Sequence, residues 1–162
     1  MTKYFQKPKI NDLLRKVITK EDFMKYYKNT KDPIMSRGAG FVTKAEDYII
    51  PNSSKELIEN LRLDYSGTKF SKDKGFVVME YKNPSPNVEH PFNTPQNNNP
   101  LPYTKTGMTG SKRNIIPEYY SADIVEFKVG DVAKVYDKNG NVIEKYVIES
   151  DNLTGIKKWK KQ

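Results

Sequence analysis

Val132-Ala133-Lys134-Val135-Tyr136, Asp137-Lys138-Asn139-Gly140 and Asn141-Val142-Ile143-Glu144-Lys145-Tyr146-Val147-Ile148 form the stretch that decides the fold. Two runs rich in Val, Ile and Tyr flank a turn ending in Asn-Gly. Asn and Gly tolerate the positive φ that tight turns need, and β-branched and aromatic residues suit a pleated surface. The reading is a β-hairpin. Ile124–Val129 precedes it as a further strand, with Gly130-Asp131 as the turn, and such short connections favour antiparallel pairing. Upstream, Phe76-Val77-Val78-Met79-Glu80-Tyr81 is a short, mostly apolar, β-prone run expected as a central strand.

The first half reads differently. Asn11-Asp12 caps an expected short helix with Leu13, Leu14, Val17 and Ile18 as its apolar stripe. Thr19 caps a second helix, with Glu21 and Asp22 in the first turn, where carboxylates suit the helix dipole. Phe23, Tyr26 and Tyr27 form its apolar face, and Lys31-Asp32-Pro33 stops it. Ser53-Ser54-Lys55-Glu56 reads as a capping box ahead of Leu57, Ile58 and Leu61. The expected fold class is α+β, with N-terminal helices packed on a C-terminal antiparallel β-meander. A basic helical segment, residues 1–31, is expected to precede a single α+β domain over residues 32–162.

Composition narrows the chemistry. The chain has 162 residues, no cysteine and one histidine, which excludes thiol catalysis, cysteine-ligated zinc and a multi-histidine metal site within the chain. No metal and no cofactor is expected. Mean hydropathy is −0.80, and no apolar run approaches the ~18 residues of a membrane span; no secretory leader pattern opens the sequence. The net charge of +8 is uneven: residues 1–31 hold nine Lys/Arg against three Asp/Glu, and Lys157-Lys158-Trp159-Lys160-Lys161 adds four more cations. The stretch between is close to neutral. A polyanion such as RNA would meet the ends first, with Trp159 offering a ring for base stacking.

Residues 83–114 hold six of the ten prolines and seven asparagines, a long Pro/Asn-rich loop of the kind that is usually functional or disordered. It carries His90, the one side chain whose ordinary pKa lies near neutrality. Tyr103 to Arg113 is dense in hydroxyls, glycines and cations without the spacing of a Walker loop. Lys105, Lys112 and Arg113 are candidate phosphate stabilisers, Thr106 and Thr109 candidate positioning hydroxyls, and His90 or Glu118 the candidate proton carrier.

Arg37, Ser71 and Glu118 follow the order of the Arg, Ser and Glu elements of one class of ADP-ribosyltransferases, a resemblance that implies an NAD-consuming transferase or glycohydrolase. The paired Glu-x-Glu is replaced here by Pro117-Glu118-Tyr119-Tyr120, and Thr68-Lys69-Phe70-Ser71 stands for the Ser-Thr-Ser element.

Helices ahead of a meander, a Pro/Asn-rich loop and a basic, cysteine-free composition resemble, over residues 50–162, the C-terminal toxin domains of bacterial polymorphic and contact-dependent inhibition systems. That resemblance implies a metal-independent ribonuclease of the barnase, EndoU, colicin and RelE-like group. The two-histidine EndoU pattern cannot be met by His90 alone. It further implies action on tRNA, neutralisation by a cognate acidic immunity protein, and delivery from one bacterium into the cytoplasm of another. A non-enzymatic nucleic-acid or protein-binding module is the remaining alternative.

Overall fold

Leu13–Ile18 forms β1, a strand where the sequence pattern suggests a helix. A computed structural model describes residues 6–28, 35–36, 40–89, 108–111, 114–121 and 125–162. β1 lies between β3 (Gly40–Lys44) and β4 (Phe76–Lys82), antiparallel to both. Its apolar residues therefore serve two faces: Leu14 and Ile18 enter one core and Val17 packs against the other. A stripe at i, i+1, i+4 and i+5 fits an amphipathic helix and a strand covered on both sides equally well. Pairing to two neighbours decides for the strand.

Helix α1 (Lys20–Lys28) follows as expected, with the Thr19 hydroxyl accepting a hydrogen bond from the Asp22 N–H at 3.2 Å. Phe23 is fully buried, with Met24 and Tyr26 packed beside it. The stop expected at Lys31-Asp32-Pro33 lies outside the described residues. Met35–Ser36 (β2) pairs with β9 (Val125–Glu126) as a separate ribbon. After β3 comes a single 3-10 turn, Ala45–Asp47, then α2 (Ser54–Leu61), whose cap Ser53 accepts from the Glu56 N–H at 3.1 Å. The capping box thus marks the helix start.

The excursion after β4 contains β5 (Val88–Glu89), β6 (Met108–Ser111), β7 (Asn114–Pro117) and β8 (Tyr119–Ser121). The Pro/Asn-rich connection is therefore not structureless throughout: β6 and β7 form a hairpin, and β5 pairs with β8. Of the strand expected at Ile124–Val129, only Val125–Glu126 (β9) is strand among the described residues 125–129, and it pairs with β2 rather than with the meander. The hairpin is as expected, with β10 (Val132–Tyr136) and β11 (Val142–Ser150), and the basic end read as an RNA contact is a further strand, β12 (Lys157–Lys161), paired with β11. Asp137 Oδ1 accepts from the N–H groups of Asn139 and Asn141, both at 2.9 Å, and fixes the hairpin turn.

The eight-stranded sheet runs β12-β11-β10-β4-β1-β3-β8-β5, every pair antiparallel. The class is α+β but mostly sheet, and the two helices lie between strands in the chain rather than ahead of them. Residues 13–28 supply an inner strand and a covering helix of this sheet. Within the basic segment expected to be helical over residues 1–31, Leu13–Ile18 is strand and Lys20–Lys28 is helix.

Both faces of the sheet are packed. Along β4, Val77, Met79 and Tyr81 belong to the larger core with Phe23, whereas Phe76 and Val78 join Leu57 of α2 in the smaller one. This alternation is the two-residue period of a strand. Arg15, on the α2 side of β1, ties its neighbours together. Its Nε donates to Glu80 at 2.8 Å and its Nη1 to the carbonyls of Ala45 and Tyr48.

Candidate functional site

Lys16 is a cation in the middle of an inner strand. It lies opposite Met79 of β4, on the face that Leu14 and Ile18 give to the larger core. Burial pulls its pKa down to about 8, and the Glu118 carboxylate partly offsets the fall. Glu118 occupies the single-residue break between β7 and β8, immediately after Pro117, which has no N–H to continue a ladder. Burial pushes its pKa up to about 7, and Lys16 partly offsets that rise. Each group is held near neutrality by desolvation and kept ionisable by the other.

The adjoining wall comes from β3 and β8. Val42 pairs with Tyr119, and the buried Lys44 sits with its Nζ 5.5 Å from the centre of the Tyr119 ring. The Tyr119 hydroxyl donates to the Gln6 carbonyl at 3.0 Å. Burial, helped by the Asp47 and Glu46 carboxylates, pushes its pKa up to about 12, so it stays a neutral phenol. The arrangement offers a carboxyl and an ammonium, each able to gain or lose a proton near pH 7–8. Strongly perturbed groups held together by burial and a charge partner mark functional sites more often than ordinary surfaces do.

Among the residues expected from sequence, Glu118 is the one this region contains. His90, Lys105, Thr106, Lys112 and Arg113 lie outside the described residues. Thr109 lies on β6, opposite Ile116 of β7. For the NAD-type order, Arg37 also lies outside the described residues. The Ser71 hydroxyl accepts from the Asp73 N–H at 3.2 Å in the turn before β4. Sequence reasoning missed Lys16 and Lys44. The available signal was a cation inside a β-branched apolar run, Leu14-Arg15-Lys16-Val17-Ile18, where a solvated charge has no place unless it is paired.

The C-terminal lysines are not a free tail. Lys157–Lys161 is an edge strand, with Ile148 opposite Trp159. Trp159 is 3% exposed and meets Phe23 and Phe127 edge to face, with centroids 5.6 and 5.2 Å away. It cannot stack on a base, which corrects the expectation for that residue. Lys157, Lys158, Lys160 and Lys161 flank it on a sheet edge, where lysines discourage pairing with a second chain. Lys160 and Lys161 also approach Glu149 and Glu144, at 3.6 and 3.9 Å.

Among the described residues, no three His, Cys, Asp or Glu side chains come together in a way that would hold a metal ion, and no helix is long and apolar enough to cross a membrane. Compared with protein-family models, curated proteins and solved structures, the chain matches none.

Proposed function

We propose that this chain is a bacterial toxin domain that cleaves RNA, tRNA among its substrates, without a metal, using Glu118 and Lys16 as its proton-transfer pair. The observation that carries this reading is the electrostatic coupling of two half-buried groups, a carboxylate raised to a pKa of about 7 and an ammonium lowered to about 8. In RNA cleavage the ribose 2′-hydroxyl attacks the adjacent phosphorus, and the bond to the 5′-oxygen of the next nucleotide breaks. Ionised Glu118 accepts the 2′-hydroxyl proton. Protonated Lys16 offsets the charge gathering on the phosphorane oxygens and gives its proton to the departing 5′-oxygen. The products are a 2′,3′-cyclic phosphate and a 5′-hydroxyl end. A proton returning from Glu118 to Lys16 resets the pair.

An acid and a base with pKa values near the working pH carry out this exchange better than a fully charged lysine and an ordinary carboxylate. In the same reading, the net charge of +8 draws the polyanion and supplies complementarity for an acidic immunity protein. The test is incubation of the purified protein with total RNA and, separately, with NAD. Discrete RNA fragments ending in 2′,3′-cyclic phosphate support the reading. Intact RNA with consumed NAD replaces it with NAD cleavage, and no change in either substrate contradicts it.

A further inference from the structure

Lys134 and Lys145 are register partners across β10 and β11, so two like charges face each other directly. Lys134 lies between the buried Ala133 and Val135, and Lys145 precedes the buried Tyr146. Both lysines therefore project from the opposite face, the α2 side, away from the larger core. Both are exposed, and neither has an ion-pair partner among the described residues. Directly opposed like charges destabilise a strand pair. A negatively charged ligand bridging them removes that repulsion.

The surroundings say which anion. The two lysines line a depression with Val78, Val132, Tyr136 and the paired Arg15 and Glu80. The Tyr136 ring is held flat against Phe76, with centroids 4.9 Å apart and planes 7° from parallel. Valines and a fixed aromatic ring beside two free cations give an apolar floor for a base next to a seat for its phosphate. On the same face, Lys160 lies opposite Val147 and Lys158 opposite Glu149, carrying the track to the sheet edge, where Lys160 is paired with Glu149 at 3.6 Å. The sheet separates this track from Lys16, which lies on the face of the larger core.

We propose that this face is an exosite for single-stranded nucleic acid, with the phosphodiester backbone seated between Lys134 and Lys145 and a base lying on the floor beside Tyr136. It is distinct from the Glu118 region and does not depend on cleavage there.

The experiment uses a short fluorescent oligothymidylate, which has no 2′-hydroxyl and so reports binding without cleavage. Its affinity for the full chain is measured by anisotropy across a salt series, for the wild type, Lys134→Gln/Lys145→Gln and Lys134→Arg/Lys145→Arg. For single strands the slope of log K against log salt is about −0.7 per neutralised phosphate, so the Gln pair, which empties one phosphate seat, should flatten it by about 0.7. The Arg pair should keep the wild-type slope. Cleavage of a ribodinucleotide, too short to reach across the sheet, should be the same in all three. An unchanged slope in the Gln pair overturns the exosite, as does polyglutamate binding as tightly as the oligonucleotide, which would mark the face as a seat for an acidic protein. Loss of all RNA cleavage activity in the wild type, with the oligonucleotide result intact, would sink the Glu118 reading and leave the exosite standing.

Discussion

Trp159 of the last strand meets Phe23 of the first helix edge to face, with ring centroids 5.6 Å apart. The contact joins the two basic ends of the chain through the larger core, and Tyr146 and Phe127 complete the aromatic group. Trp159→Ala should cost about 3–5 kcal/mol, the usual range for a large buried aromatic. Trp159→Phe should cost much less, because the indole N–H is buried without a hydrogen-bond partner. Thermal unfolding of the two variants checks the ranking. Equal stability of wild type and Trp159→Ala would return residues 157–162 to the status of a tail.

Gly140 closes the β10–β11 turn with φ of +80°, and a Cβ there would lie 2.7 Å from the Asn52 backbone. Gly140→Ala should destabilise by at least about 1–2 kcal/mol from the left-handed backbone alone. The close approach to Asn52, next to the start of α2, adds to that. Urea denaturation measures the sum.

Ser53→Ala removes the hydroxyl that accepts from the Glu56 N–H and should cost about 1 kcal/mol. Ser53→Asp should restore most of it, because Asp caps as well as Ser. The midpoint of chemical unfolding distinguishes the three chains.

The half-buried pair makes stability depend on pH in an unusual way. Folding raises the Glu118 pKa from 4.5 to about 7, so the folded state holds the extra proton between those values and stability falls as pH rises through them. Folding lowers the Lys16 pKa from 10.5 to about 8, so the unfolded state holds the extra proton there and stability climbs from about pH 8 to 10.5. Between lies a minimum near pH 7–8. Glu118→Gln should abolish the acid-side decline and Lys16→Met the alkaline rise, both readable as melting temperature against pH.

Local chemistry was the legible part of the sequence. Asp137 to Gly140, Thr19 and Ser53 each act within a few residues of themselves, and each produced the expected turn or cap. Long-range pairing was not legible. Leu13 to Ile18 carries a pattern shared by a helix and a doubly covered strand, and only its pairing with β3 and β4 resolves it. The roles of Arg15 and Lys16 were not legible because their partners, Glu80 and Glu118, lie far along the chain. Lys157 to Lys161 suggested a tail because its cations outnumber its one large apolar residue. Trp159 at the centre of the run was the strand signal. For the site, Glu118 was visible as a carboxylate next to a strand, whereas its partner required the sheet order.

The pH profile of RNA cleavage tests the central claim most directly, measured as kcat/KM for a defined RNA with the wild type and Glu118→Gln. Glu118 must be ionised to accept a proton and Lys16 protonated to give one. Activity should therefore rise through about pH 7 and fall above about pH 8, a narrow bell whose two apparent pKa values belong to the pair. Glu118→Gln, shown by circular dichroism to be folded, should lose the acid limb and at least about a hundredfold in rate, the lower range for a positioned general base. Cleavage by Glu118→Gln at the wild-type rate, with the same bell, would contradict the account.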